Sequence, residues 1–170
     1  MRSLTRITLI GVAVALAVSS NIGAAADGTA TGTLTYVSKG APLTVALKYA
    51  WLVKGPDAVD TKKTIRHLIL SAVDIGAKVA ACKTMSCTDS DLGSGMTVDF
   101  DAGPRLNYWV SLNGQLVQYS GTVRPEALKL TTDTPARLAG KLTIDDSGAG
   151  GAKVDVTFDA PMLPELKLAR

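Results

Sequence analysis

The chain runs to 170 residues, with 18 Lys and Arg against 15 Asp and Glu and a formal net charge of +3. That length suits one domain with a core of useful size. The charges alternate in sign and form no basic block, which argues against the one-signed, aromatic-interleaved patch of a nucleic-acid partner.

Arg2 and Arg6 precede an apolar run over residues 7–18, and small residues follow at Gly23, Ala24, Ala25 and Ala26. A basic start, a short apolar stretch and an A-x-A-like end are the parts of a secretory signal peptide. The run is shorter than the roughly 20 residues a spanning helix needs. No Cys lies near the expected cut, so lipid attachment there is not expected, nor is a stable membrane anchor. Residues 1–26 are expected to leave as a leader, with cleavage near Ala26 and Asp27. The mature chain over 27–170 is then periplasmic or secreted. Losing Arg2 and Arg6 leaves 16 Lys and Arg against 15 acids, so most of the nominal basicity belongs to the leader.

Period-2 alternation dominates the mature chain, broken by turn residues at short intervals. Residues 31–37 are Thr-rich and β-branched, and residues 38–42 turn the chain into a second run. There Leu43, Val45, Leu47, Tyr49, Trp51 and Val53 alternate with mostly polar or small residues, predicting one long strand with an apolar face. Residues 54–63 form the longest polar connection. Shorter strands are expected at 65–72 and 96–101. Between them, residues 73–82 have the alanine content for a loop or single helical turn, with Gly76 interrupting.

Asn113-Gly114 sits between two alternating runs, the signature of a two-residue type I′ hairpin. A regular register then pairs Leu112 with Gln115, Val110 with Val117 and Tyr108 with Tyr119. These last four would share one face, with Trp109, Ser111, Leu116 and Gln118 on the other. A strand at 128–132 follows. Residues 137–145 and 153–159 then flank a Gly-rich connector at 146–152, read as a flexible hairpin tip. The tail over 161–170 is expected to be extended or frayed, with Pro164 able to open a last helical turn.

Eight to nine strands with little helix predict an all-β, mainly antiparallel β-sandwich, with barrel-like closure as the variant. The expected core is Leu34, Tyr36, Val45, Leu47, Tyr49, Trp51, Leu68, Leu70, Val98, Phe100, Tyr108, Val110, Val117, Tyr119, Leu142, Ile144, Val156 and Phe158.

Cys82 and Cys87 are the two cysteines, four residues between them. In an oxidising compartment so close a pair reads as a disulfide that staples a loop. Zinc would need further ligands, and His67 is the single histidine, so no metal or cofactor is expected.

Catalytic constellations are sparse. His67 shares a strand face with Ile65 and Ile69 and reads as a half-buried or surface residue. No Ser stands in a nucleophile elbow. Asp99 and Asp101 would lie on one strand face about 7 Å apart, and alternation explains them as solvent-facing positions. Asp89 and Asp91 open an oxygen-rich loop that lacks the remaining ligands of a calcium loop. Loops on rigid scaffolds tend to carry recognition. The expected contact surface is therefore Asp57, Asp60, Lys62 and Lys63, with Asp89 and Asp91 beside the disulfide, and Trp109 as an exposed aromatic.

In architecture alone the chain resembles small exported β-domains of Gram-negative bacteria, several of which inhibit cell-wall hydrolases or toxins. The resemblance implies a non-enzymatic binding protein with a protein partner in the cell envelope, inhibitor- or immunity-like. The alternative is a carbohydrate- or small-ligand-binding domain, and a hydrolase ranks third.

Overall fold

The computed structural model describes residues 28–163 and 165–170, without the Leu116 side chain. The expected leader over 1–26, the expected turn at Pro164 and the face assigned to Leu116 lie outside that description. Ten antiparallel strands form two five-stranded sheets packed face to face, a β-sandwich as alternation predicts. In spatial order the first sheet holds β2 (Ala41–Leu47), β1 (Thr29–Ser38), β10 (Ala152–Pro161), β9 (Arg137–Asp145) and β8 (Leu128–Thr134). The second holds β3 (Tyr49–Pro56), β4 (Thr64–Ser71), β5 (Gly95–Phe100), β6 (Leu106–Leu112) and β7 (Gln115–Val123).

The tenth strand arises because the predicted strand across 43–53 is two strands in different sheets. The chain changes sheet at exposed Lys48, whose N–H donates to the Ser71 carbonyl at 2.9 Å and whose carbonyl accepts from Ala30 at 2.9 Å. Crossing that corner reverses the parity of the buried face. Leu47 points into the space between the sheets, and beyond the corner Ala50 and Leu52 do. Trp51 belongs instead to a second apolar cluster, with Tyr49 packed against its edge, so both leave the predicted core.

Asn113 and Gly114 both have positive φ, 54° and 76°, as the type I′ turn requires. The hairpin register nonetheless departs from expectation. Leu112 faces Gln115, but Val110 faces Tyr119 and Tyr108 faces Gly121, so β7 carries two extra residues. A Cβ on Gly121 would lie 2.7 Å from the Tyr108 hydroxyl, so the slip sets a glycine where the ring needs room. Tyr119 stays beside Tyr108, with ring centroids 6.0 Å apart. Val117 leaves the core and is 57% exposed.

The inter-sheet core holds Leu34, Leu47, Leu68, Leu70, Val98, Phe100, Tyr108, Val110, Leu142, Ile144, Val156 and Phe158, with Tyr36, Val45 and Tyr119 at its margin. Tyr108 donates to Asp146 at 2.5 Å, tying the core to the turn between β9 and β10. Burial and that carboxylate push the phenol's pKa well above its ordinary value. Arg66 joins the sheets from β4 by reaching Asp101 at 2.8 Å and Asp133, on β8, at 2.6 Å.

Asp99 and Asp101 do not share a face. Asp101 adopts positive φ, 68°, just past the end of β5, and turns to Arg66, while Asp99 points to the other side.

Candidate functional site

The outward face of the second sheet follows from its register. One row runs Trp51, Ile69, Thr97, Trp109 across β3 to β6, and the next runs Val53, His67, Asp99, Asn107. The apolar half, on β3 and β4, cannot stay wet without loss, because burying apolar area is favourable by about 25 cal/mol per Å². It is covered by two segments that are mostly irregular.

The first cover is the connection from β4 to β5, with helix α1 (Gly76–Ala81), the Cys82–Cys87 disulfide and a 3-10 turn (Met85–Cys87). A Cβ on Gly76 would lie 2.6 Å from the Trp51 indole nitrogen, so glycine lets the helix start against that ring. Ile75, Val79, Met85 and Leu92 then close over Trp51, Val53, Ile65 and Ile69. The second cover is the tail. It is held along the β3 edge, where Leu163 donates to Leu52 and Leu166 to Lys54, each at 2.8 Å. On its other side the tail accepts from Met85 at 2.9 Å and Ser86 at 3.1 Å. Leu163 and Leu166 are buried in the second cluster.

The covers stop at the middle of the sheet, and His67 marks the boundary. Its Nε2 bonds Asp89 of the cover at 2.8 Å, and its Nδ1 bonds Asp99 of β5. The residue is 5% exposed, contrary to a half-buried or surface reading. Burial alone would strip the proton, but hydrogen bonds to the two carboxylates outweigh it and raise the pKa to about 10. With an acceptor at each ring nitrogen, the ring is an imidazolium at neutral pH. Such a group has no free lone pair for general-base work. It acts as a cationic pin holding the disulfide loop to the sheet.

Past the pin the sheet floor opens into a cleft of about 430 Å³. Thr97, Asp99, Asn107, half-buried Trp109, Ser111 and Val117 form its floor and far side. Met85, Asp89, Ser90 and Leu92 wall it from the disulfide loop, and Pro56, Asp57, Ala58 and Val59 from the β3–β4 connection. The latter loop is shaped by Asp57, whose carboxylate accepts from the Val59 and Asp60 N–H groups at 2.6 and 3.1 Å.

Of the predicted contact residues, the cleft gathers Asp57, Asp89 and Trp109. Asp60 caps Lys62 N–H at 3.2 Å, and Lys63 reaches the Ala102 carbonyl at 3.3 Å, so these three stand outside it. Asp91 pairs with Lys78 at 3.0 Å and borders a smaller hollow of about 170 Å³. Sequence reading misses the joining of His67 to Asp89 and Asp99, and the inclusion of Thr97, Asn107 and Val117. The parity of His67 with Ile65 and Ile69 is a usable signal, since a polar residue flanked by buried apolar ones on the same face calls for partners.

Among the described residues, no group of three or more His, Cys, Asp or Glu converges to hold a metal ion. No described helix is long and apolar enough to cross a membrane. Comparison with protein-family models, curated proteins and solved structures gave no match for this chain.

Proposed function

We propose that the protein is an exported, non-enzymatic binding domain whose contact surface is the Trp109 cleft, taking a protein partner in the cell envelope. The carrying observation is Trp109 itself. A half-buried tryptophan stands on the uncovered stretch of the sheet face, between two loops fixed by a disulfide and by Asx turns. Aromatic anchors in such recesses dominate protein–protein binding energy. The pinned imidazolium of His67 speaks against hydrolysis, because it cannot take a proton from a nucleophile. The disulfide fits an oxidising compartment, as export requires. Inhibition or immunity suits a rigid domain offering one recess.

Capture from a periplasmic extract with wild type and Trp109→Ala tests the reading. A partner retained by the first and lost by the second supports it. Identical recoveries, or none from either, refute it. Export is checked separately by mass spectrometry of the secreted or periplasmic chain, expected to begin at Asp27.

The volume of the cleft supports a second reading, since about 430 Å³ lies within the usual range for small-ligand sites. Tryptophan also stacks on sugar rings. Fluorescence titration with cell-wall sugars separates the two readings: quenching favours the sugar, and a flat response favours the protein.

A further inference from the structure

Resting on the cleft as the contact surface, we infer that the group it receives is the cationic side chain of a partner's lysine or arginine. Its stem would lie along Trp109 and its charge would face Asp99, Asp89 and Thr97.

Three independent features carry this. The first is charge. Asp57, Asp89 and Asp99 line the cleft against His67 and Arg170, and Arg170 forms no ion pair among the described residues. One imidazolium answers two carboxylates, each using a single oxygen, Oδ1, to do so. The Oδ2 atoms of Asp89 and Asp99 have no partner among the described residues. The Asp99 side chain is only 15% exposed, so its charge is held at the cleft wall and partly shielded from bulk water. Three carboxylates against two cations leave the lining side chains with a net negative charge, which favours an entering cation over an anion or a neutral group.

The second feature is Thr97. Its side chain projects from β5 on the same face as Asp99 and lines the cleft, and the residue is 2% exposed. Among the described residues no buried side-chain polar atom lacks a partner, so the Thr97 hydroxyl, which makes no hydrogen bond there, is open to the cleft rather than sealed in the sheet. An ammonium or guanidinium brings several donors and would satisfy that oxygen together with the carboxylates.

The third is the apolar flank. Trp109, Val117, Met85 and Leu92 border the same space. Lysine and arginine bury their methylene stems along such surfaces, and an indole face attracts the cation itself.

The test uses capped amino acids on the full mature chain, read by backbone amide shifts of Thr97 and Trp109 in nuclear magnetic resonance titrations. N-acetyl-lysine amide is expected to bind at least tenfold more tightly than N-acetyl-norleucine amide, which has the stem without the charge. N-acetyl-glutamate amide should be weakest. Asp89→Asn should reduce the lysine advantage about tenfold, and Thr97→Val should reduce it by a smaller factor with the fold intact. Norleucine or glutamate binding as well as lysine would overturn the inference while leaving the cleft as a binding surface. Butylammonium binding more tightly than capped lysine would assign the cleft to a free amine and also overturn it. Silence from every probe overturns it too. If Trp109→Ala then leaves partner capture unchanged, the underlying reading falls as well.

Discussion

The outward faces of the two sheets share a strand count and differ in almost everything else. On the first sheet the outward positions include Thr33, Lys141, Thr143, Asp145, Lys153, Asp155 and Thr157, each of them exposed. Lys141 pairs with Asp155 at 2.8 Å and Lys153 with Asp145 at 3.2 Å, and nothing needs to cover them. On the second sheet the outward set is Trp51, Val53, Ile65, His67, Ile69, Thr97, Asp99, Asn107 and Trp109. That set demands burial, and the molecule uses α1, a disulfide loop and its tail to cover only half of it. The first face is finished by solvent. The second is finished by protein up to His67 and left open beyond, which is why the recess lies there.

The largest test of this contrast is the pin between covered and open halves. His67→Ala removes the cation shared by Asp89 and Asp99 and leaves a mostly buried carboxylate uncompensated. Breaking a buried ion pair from one side costs about 3–5 kcal/mol. Urea unfolding should report a loss of that order, against a negligible one for Lys141→Ala on the first sheet.

Titration probes the same pin without mutation. An ordinary histidine loses its proton near pH 6.5, whereas His67, facing Asp89 and Asp99, keeps it to about 10 in the fold. Between those values the folded chain holds a proton that the unfolded chain has released. The stabilisation is therefore complete below pH 6.5 and is lost as pH rises through about 10. The urea midpoint should fall across that window in wild type and stay level in His67→Gln. A level wild-type curve would mean that the ring is neutral and the pin is not ionic.

Replacing both cysteines by serine tests whether the cover needs its staple. Opening so short a ring costs roughly 2 kcal/mol in the chain-entropy model. Amide hydrogen exchange should quicken over residues 72–94 and leave the first sheet unchanged. Uniform quickening would show that cover and sandwich unfold as one unit.

The two faces also differ in how legible they are. Alternation in β9 and β10 is strict, because one side meets water, and their bounds and buried residues emerge from the pattern with little error. In β3 and β4 both sides are covered, burial is nearly continuous, and period-2 reasoning loses its reference face. Alternation therefore places Trp51 in the wrong core and misses the corner at Lys48. The slip in β7 is set by Gly121 beneath the Tyr108 ring, a contact that no local pattern encodes. The cleft is legible only in fragments. Trp109, Asp57 and Asp89 stand out as loop or face residues, but Asp89 and Asp99 lie 22 and 32 positions from His67, and meet it only when the disulfide loop folds over the sheet and β4 pairs with β5.

The finest comparison sets two threonines against each other. Thr143 is exposed on the first sheet, and Thr143→Val should change stability by less than about 0.5 kcal/mol. Thr97 lies on the second with its hydroxyl open to the cleft, so Thr97→Val should likewise change stability by less than about 0.5 kcal/mol while weakening lysine binding. A side chain whose loss leaves folding unchanged but weakens ligand binding is retained for function rather than structure. Thermal unfolding of the two variants beside the lysine titration decides the point. If Thr97→Val lowers stability, the hydroxyl serves the sheet itself, and the cleft's claim then rests on charge and Trp109 alone.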